Sequence, residues 1–362
     1  MYRRRTLVMI AAFGIAPAFA AVNGVVSASR IRRVHLASEW AARGDRDLAS
    51  GRPDAAAEAF RTAQEYARDR RRYGLPLARA LVAAGRFVEA GAELLGLWSD
   101  APGNGPVNLE LGRLAARDGD VAAAVRYYHG AIDGAWETNA TEARRDARLE
   151  LARFLLVMRQ PAQAQAELIA LAGDLPRDAS FVTDTGALLL LAGADRRALE
   201  VLEHALELDP HFARADRLAG TAAFRLGDYR LAVRHLQRAQ RAGTLDEEGA
   251  SDLETSARIL ALDPAARGIG SRERIRRVAH AYVIAAAWIA RCASDAVAAV
   301  RQQLAAVEPM VTERKLARDP DSVDTVLRLI AAAESAAVGV CPPRQADERA
   351  LALIVGARPS TP

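Results

Sequence analysis

Apolar and polar residues follow one another along most of the chain with the three- and four-residue spacing of amphipathic helices. Residues 181–210, FVTDTGALLLLAGADRRALEVLEHALELDP, contain two such runs separated by Gly193. An apolar stripe at this spacing predicts a helix with one buried face. Glycine predicts the turn because it adopts left-handed backbone conformations easily, and Pro210 predicts the end of the second helix because proline lacks an N–H. The stretch therefore predicts a helical hairpin.

The same hairpin pattern recurs six times, which makes an internal repeat the main feature of the chain. The predicted turns lie at Gly51, Gly85, Gly119, Arg159, Gly193 and Gly227. The intervals between them are 34, 34, 40, 34 and 34 residues. Val, Ile and Thr nowhere alternate with polar residues for long, so the pattern predicts an all-α chain.

Residue size recurs in register with these turns. Seven residues before each turn stand the small residues Gly44, Ala78, Gly112, Ala152, Gly186 and Gly220. Five residues after it stand Ala56, Ala90, Ala124, Ala164, Ala198 and Ala232, and nine after it Phe60, Leu94, Tyr128, Leu168, Leu202 and Leu236. Twelve after it stand Ala63, Leu97, Ala131, Leu171, Ala205 and Ala239. We interpret the small residues as the crossing point of two helices, and the large residue as packing against the next repeat.

A 34-residue helical period with these residues in register resembles the tetratricopeptide repeat (TPR) family. The resemblance covers about residues 40–243. It implies a right-handed solenoid of helical hairpins, followed here by a small C-terminal helical region. Two departures stand in the fourth repeat: Arg159 replaces the turn glycine, which predicts a looser turn, and the longer interval before it predicts a longer loop near residues 136–144.

The repeat register ends near Gly243, and the remaining sequence predicts separate helices. Ser271 is a predicted N-cap, an apolar stripe runs from Ile275 to Cys292, and a second helix is predicted after Asp319. We therefore expect five segments. These are a signal peptide or membrane anchor (1–29), six repeats (36–243), a solenoid cap (244–268), a C-terminal helical region (269–356) and a disordered tail (357–362).

The N-terminus predicts export or membrane attachment. Residues 1–5 are basic, and residues 6–29 carry no charge. A cleaved signal peptide would end between Ala20 and Ala21, whereas the whole uncharged run is long enough for an uncleaved transmembrane helix. Either predicts a cell-envelope protein with its body facing the periplasm. Arginines after the run balance those before it, so an anchor with a cytoplasmic body stays open, as does a buried helix of a cytosolic protein.

Composition and charge narrow the function classes. The chain has 362 residues, of which 51% are hydrophobic and 26% charged, enough to bury a core. The net charge is +4, but arginines and acids are interspersed without a basic, aromatic-studded stripe. We therefore expect no nucleic-acid partner. No HExxH, GxSxG, P-loop or dinucleotide motif occurs, so we expect no catalytic residue, metal or cofactor.

The two cysteines leave one choice open. Cys292 and Cys341 form no CxxC motif, which excludes a cysteine-rich zinc site. Cys292 lies on an apolar stripe, so a buried free thiol is one interpretation. If the body is exported, an oxidising compartment favours a Cys292–Cys341 disulfide instead.

The TPR resemblance also implies where a partner binds. In that family the first helix of each repeat lines a groove, and the position six before the turn faces it. That position holds Arg79, Arg113 and Arg153, and the line continues through Arg117, Arg217 and Arg225. Arginine binds carboxylates bidentately, which predicts an acidic segment or a C-terminal carboxylate as ligand. Arginine is abundant throughout, however, so solvated side chains without a partner are the alternative.

The function that follows is a non-catalytic scaffold that binds a partner protein, exported or membrane-anchored, in envelope assembly by family analogy. If uncleaved, residues 6–29 would also contact the membrane. Two alternatives stay open. One is an enzyme or regulator whose site lies in the C-terminal helical region, with the repeats as adaptor. The other is a cytoplasmic TPR adaptor.

Overall fold

Helices account for the regular secondary structure of the described residues, which contain no strand. The structure is a computed structural model and describes residues 2–67, 70–266 and 268–356. In the first helix, side chains are described for Asn23 and from Val25 onward. The predicted all-α fold is confirmed. The predicted tail, residues 357–362, lies outside the described residues.

Eighteen α-helices and two short 3-10 helices occur in the described ranges. The α-helices are α1 (Tyr2–Ala49), α2 (Pro53–Ala67), α3 (Arg70–Ala83), α4 (Phe87–Asp100), α5 (Gly105–Arg117), α6 (Val121–Asp133), α7 (Ala140–Val157), α8 (Pro161–Leu171), α9 (Ala179–Leu191), α10 (Asp195–Leu208), α11 (Ala213–Arg225), α12 (Tyr229–Arg241), α13 (Glu247–Leu262), α14 (Ser271–Arg291), α15 (Ala298–Val307), α16 (Glu313–Leu316), α17 (Pro320–Ala337) and α18 (Ala346–Gly356). The chain forms two compact units, an N-terminal unit (residues 1–167) and a C-terminal unit (168–362).

The predicted turn positions join the helices of the six repeats. Every one of them has a positive φ, between 70° and 76° at the five glycines. Arg159 adopts the same conformation with φ 55°. Its turn is closed by a hydrogen bond from the Gln160 N–H to the Leu155 carbonyl (2.8 Å), which matches the bond from Asp120 to Ala115 (3.0 Å). The predicted looser turn at Arg159 is therefore wrong.

Each repeat packs its large residue on its own small residue. Leu202 lies so close to Gly186 that a Cβ at residue 186 would stand 2.6 Å from the Leu202 Cγ. The alanines five residues after the turns are fully buried in all six repeats. The large residue also reaches the following repeat, since Leu94 shares a buried cluster with Leu111. Packing against the next repeat was thus only half of its role.

The first helix continues from Tyr2 to Ala49 without a break at the boundaries predicted near residues 29 and 36. Its side chains from Val25 to His35 are exposed and mix apolar residues with arginines. No helix in the described part of the chain is long and apolar enough to cross a membrane. The predicted transmembrane helix is therefore wrong for that part of the chain. The predicted cleavage site at Ala20 and Ala21 falls where side chains are not described, and it stays a prediction.

Beyond the repeats, α14 is the central helix of a second core. Val278 and Ile289 are fully buried there, and α17 packs against the same helix. The Tyr282 hydroxyl donates to the Leu304 carbonyl (2.7 Å) and so fixes α15, a helix that the sequence did not predict. Gly270 is the N-cap of α14, whereas the predicted cap, Ser271, is its first helical residue.

Glu334 places a carboxyl group on the buried face of α17, only 6% exposed. Burial raises the pKa of Glu334 from 4.5 to about 7. Because this pKa is higher in the folded than in the unfolded state, the carboxyl destabilises the fold increasingly from pH 4.5 to about 7, and constantly above that. We expect Glu334→Gln to be more stable than the wild type by about 2 kcal/mol at pH 8, with the difference vanishing near pH 4.5.

Urea unfolding at both pH values tests this expectation for Glu334. The exposed Glu313→Gln on α16 is the matched control and should shift neither midpoint. A stabilisation by Glu334→Gln that does not depend on pH would contradict the assignment of the effect to ionisation.

Candidate functional site

The first helices of repeats two to four, α3, α5 and α7, carry the arginines predicted to bind a partner. We call the surface that they form in the N-terminal unit the first-helix face. Arg79 on α3 donates through Nε to Glu110 Oε1 on α5 (2.8 Å). Arg113 Nη1 reaches the same oxygen (3.2 Å). The Glu110 side chain is 8% exposed, so its charge depends on these two arginines.

Arg113 continues the chain of ion pairs to the next repeat. Its Nε and Nη2 donate to the two carboxylate oxygens of Glu150 on α7 (2.9 and 2.6 Å), the bidentate geometry expected of this pair. The hydrogen bond to Glu150 raises the pKa of Arg113 above its ordinary value. Arg79, Glu110, Arg113 and Glu150 form a continuous ladder of alternating charge across three repeats, which we call the Arg79–Glu150 ladder.

The other predicted arginines also have partners within the chain. Arg117 donates to Asp118 (2.7 Å) and lies over the Phe87 ring, with its guanidinium carbon 3.4 Å from the ring centroid. Arg153 is exposed at the end of α7 and has a partner of its own. Arg79, Arg113 and Arg117 of the predicted line are thus already paired with carboxylates of the chain.

Arg217 and Arg225 belong to the C-terminal unit and behave in the same way. Arg217 donates to Asp246 (2.8 Å) at the start of α13. Arg225 lies 3.7 Å from Glu248 and donates to the Leu190 carbonyl (3.3 Å). Both arginines therefore tie neighbouring helices together within that unit.

The arginine pattern did not predict the two carboxylates of the ladder. Glu110 and Glu150 stand nine residues before the turns of repeats three and four, and Asp184, which is not part of the ladder, holds the same position in repeat five. Three residues after this acidic position stand Arg113 and Arg153 in repeats three and four, and Ala187 in repeat five. The acidic position therefore recurs in the same register and is a signal visible in the sequence.

The ladder predicts a measurable coupling between Arg113 and Glu150. We expect Arg113→Gln to lower the free energy of unfolding by about 1–2 kcal/mol, because it removes the bidentate pair and one of two partners of Glu110. In a double-mutant cycle with Glu150→Gln, the coupling energy should be about 1 kcal/mol at low salt. Arg126→Gln, on the second helix α6, is the control and should show no coupling with Glu150→Gln. Additive effects for the Arg113 pair would contradict the ladder.

A cleft of about 220 Å³ opens between α5 and α7. Its lining consists of Leu109, Arg113, Trp136, Ala143, Asp146, Leu149, Glu150 and Arg153. Trp136 comes from the longer loop that was predicted before the fourth repeat. That loop is attached to the start of α5 through a hydrogen bond from the Gly105 N–H to the Ala135 carbonyl (2.9 Å).

The two cysteines are brought together in the C-terminal unit. Cys292 and Cys341 form a disulfide with their Cα atoms 5.8 Å apart. Trp288 Nε1 donates to the Cys341 carbonyl (2.9 Å), and Arg301 donates to the Cys292 carbonyl. The bridge joins the end of α14 to the segment after α17.

A larger cleft of about 680 Å³ lies among α13, α14 and the segments around α16 and α18. Arg258 is paired with Asp347, and Arg277 with Glu273 at 2.8 Å. His280 is exposed at the cleft and makes no hydrogen bond to a described residue. No group of three His, Cys, Asp or Glu side chains suited to a metal ion occurs in the described part of the chain.

Comparisons with known proteins agree with this architecture. A family model described as "Tetratricopeptide repeat" matches residues 47–107. No curated protein sequence matches the chain. Similar solved structures include YrrB, "a TPR protein with an unusual peptide-binding site" (20% identity over 54% of this chain and 96% of that chain, TM-score 0.43). They also include Pseudomonas aeruginosa pilF (17% identity over 61% of this chain and 96% of that chain, TM-score 0.43).

A third similar structure is the complex of the TPR2AB domain of yeast Sti1 with an HSP90 peptide (19% identity, 60% of this chain and 94% of that chain, TM-score 0.27). At these identities and TM-scores, the likenesses add nothing about function. The family model assigns residues 47–107 to a tetratricopeptide repeat, and the 34-residue register continues the same helical hairpins through the six repeats.

Proposed function

We propose that this protein is a non-catalytic scaffold that binds a segment of a partner protein on its first-helix face. The observation that carries the proposal is the Arg79–Glu150 ladder, which displays the half-exposed guanidinium groups of Arg79 and Arg113 beside the partly exposed Glu150 carboxylate. Only Nε of Arg79 is used by Glu110, so its terminal N–H groups stay available to a ligand. A partner can therefore add hydrogen bonds to the ladder without first breaking it.

An acidic segment or C-terminal carboxylate remains one kind of ligand for this face. To take Arg113, such a segment has to displace both oxygens of Glu150, which would then keep only the long hydrogen bond from the Tyr128 hydroxyl (3.4 Å). Removing the charged partner of a half-buried carboxylate costs about 1–3 kcal/mol. Arg79 is therefore the arginine at which an acidic ligand meets the least competition.

Absence of catalysis is part of the proposal, and the C-terminal cleft supports it. The arginines Arg258 and Arg277 hold their own carboxylates there, and among the described residues His280 has no hydrogen-bond partner that could orient it as a general base. An enzyme in this region, with the repeats as adaptor, would need a general base hydrogen-bonded to an orienting group, and Arg258, Arg277 and His280 do not form such a pair.

We further place the protein in the cell envelope, with its body in the periplasm after removal of a signal peptide. The basic and uncharged segments at residues 1–29 favour export. The Cys292–Cys341 disulfide favours an oxidising compartment. Free thiols in protein labelled inside intact cells would instead favour the cytoplasmic adaptor, and the mass of the mature N-terminus would locate the cleavage.

Photo-crosslinking in living cells tests binding on the first-helix face. Ala83 lies one helical turn beyond Arg79 on α3 and is exposed, whereas Val88 on α4 is 89% exposed away from that face. We expect Ala83→p-benzoylphenylalanine to give a discrete adduct that Val88→p-benzoylphenylalanine does not give. Adducts at Val88 alone, or at neither position, would overturn the proposed binding face.

A further inference from the structure

The longer interval before the fourth repeat builds a feature that the other repeats lack. It lengthens α7 to 18 residues, compared with 13 for α5, α9 and α11, and it supplies the loop with Trp136. The indole Nε1 donates to the Ala131 carbonyl (2.8 Å). A Cβ at Gly105 would stand 2.3 Å from that same Nε1, so the ring packs directly on the backbone of α5. Trp136 is therefore held in a fixed position at the cleft between α5 and α7.

The apolar part of this cleft suits an aliphatic stem. Leu109 and Leu149 lie on its two helices, and the Trp136 ring closes one end. Its volume of about 220 Å³ holds one long side chain rather than a folded segment. Long basic side chains bury their methylene groups in such places while the charge stays near water.

Asp146 is an acidic group of the cleft without a close partner. Arg113 pairs with Glu150, and Arg113 and Arg153 attract the Asp146 carboxylate without an ion pair or hydrogen bond that the structure describes. The Asp146 carboxylate makes no ion pair or hydrogen bond with a described residue. Glu142 and Glu150 stand one turn before and after it on the same helix. Burial, followed by repulsion from these two glutamates, raises the pKa of Asp146 above its usual range, and the attraction of Arg113 and Arg153 offsets this only in part.

We infer that the cleft between α5 and α7 receives a lysine or arginine side chain of the partner segment, with its cation on Asp146 and its stem against Trp136. This inference rests on the proposed function and names the chemistry of the partner at that point. A cation relieves the repulsion among Glu142, Asp146 and Glu150, and it gains attraction from the Trp136 ring. An acidic side chain would instead be repelled by Asp146 and would compete with Glu150 for Arg113.

A small probe tests the cleft independently of any partner. The chain has four tryptophans, so ¹⁵N-indole labelling of the full-length protein gives up to four assignable signals. We expect Nα-acetyl-lysine N-methylamide to shift the Trp136 signal in a saturable way. The norleucine amide keeps the stem without the charge, and the glutamate amide carries the opposite charge; neither should shift it. An unchanged Trp136 signal, or an equal response to all three amides, would overturn the inference.

Asp146→Asn supplies the matched variant. It removes the unpaired charge and should fold at least as stably as the wild type, because it also removes repulsion on α7. We expect Asp146→Asn to raise the dissociation constant of the lysine amide about tenfold. Glu137→Gln removes the same charge from an exposed loop residue beside Trp136 that does not line the cleft, and it should change the affinity less than twofold. Equal effects of the two variants would mean that general charge, not the cleft, attracts the probe.

The two proposals fail separately. If Ala83 yields a partner adduct but the lysine amide leaves Trp136 unchanged, the scaffold stands and the basic side chain is wrong. If the lysine amide binds beside Trp136 but no adduct forms at Ala83, the cleft chemistry stands and the proposed binding face fails. Where both succeed, Asp146→Asn should also reduce the yield of the Ala83 adduct.

Discussion

Replacing both cysteines, Cys292→Ala together with Cys341→Ala, is expected to lower the free energy of unfolding of the C-terminal helical region by about 4 kcal/mol. The disulfide links residues 49 apart in sequence. Closing a loop of that length in the unfolded chain removes conformational freedom that folding would otherwise have to remove. The bridge also positions the carbonyls that Trp288 and Arg301 bond, so α14 and the segment after α17 should separate first.

Urea unfolding of the full-length protein, followed by circular dichroism and tryptophan fluorescence, measures this effect. The wild type treated with a reductant should approach the double variant, and the variant itself should not respond to the reductant. Equal unfolding midpoints of the oxidised wild type and the variant would show that the bridge contributes nothing to stability. Hydrogen exchange should place the loss of protection in α14 and α18, while α3 to α6 stay unchanged.

The second large effect is expected at Gly220. A Cβ there would stand 2.5 Å from the Leu236 Cγ and 3.2 Å from the Leu236 backbone nitrogen. Leu236 is fully buried and branches at Cγ, so it cannot move aside as the end of a flexible chain would. We expect Gly220→Val to lower the free energy of unfolding by about 3 kcal/mol, near the upper end for overpacking.

Gly91 on α4 is the matched control for Gly220. A Cβ at Gly91 would meet nothing within 4 Å. Gly91→Ala should therefore raise stability by about 0.5–1 kcal/mol, since alanine is the better helix former. The two glycines should thus respond with opposite signs in thermal or urea unfolding. A stable Gly220→Val protein would mean that α11 and α12 separate more easily than their packing indicates.

The spacing of residues predicted the repeats well because each position has one physical role. Small residues such as Gly186 allow two helices to touch, and residues at the turns take a positive φ, so both recur at a fixed interval. The turn at Arg159 was misjudged because the hydrogen bonds of the hairpin hold any residue in that conformation when the rest of the repeat fits. The strain falls on one residue while the packing of the repeat is kept.

Other elements gave no such signal. α15 and α16 are short, and their few buried residues, such as Leu304 and Leu316, form no stripe long enough to recognise. The pairing of Cys292 with Cys341 was predicted only on the condition of export, because sequence spacing does not bring the end of α14 near the segment after α17. That proximity arises from the packing of three helices.

The arginines of the first-helix face were predicted from the sequence, but the carboxylates that pair with them were not. The register placed Arg79 and Arg113 correctly on first helices. It did not show that each reaches a carboxylate one repeat later, because contacts between repeats depend on how the helices stack. Trp136 and Asp146 lie in the 40-residue interval before the fourth turn, and the other repeats have no matching residues from which their roles could be predicted.

The direction of the Arg79–Glu150 ladder has a consequence for how such a chain changes in length. Each arginine bonds a glutamate of the following repeat, so the leading and trailing edges of these repeats are complementary. Removing α5 and α6 would break two ion pairs between repeats, Arg79–Glu110 and Arg113–Glu150. It would also bring Arg79 opposite Glu150, so that one new ion pair of the same kind could form. Duplication or loss of a whole repeat therefore preserves charge balance, whereas a shift of a few residues does not.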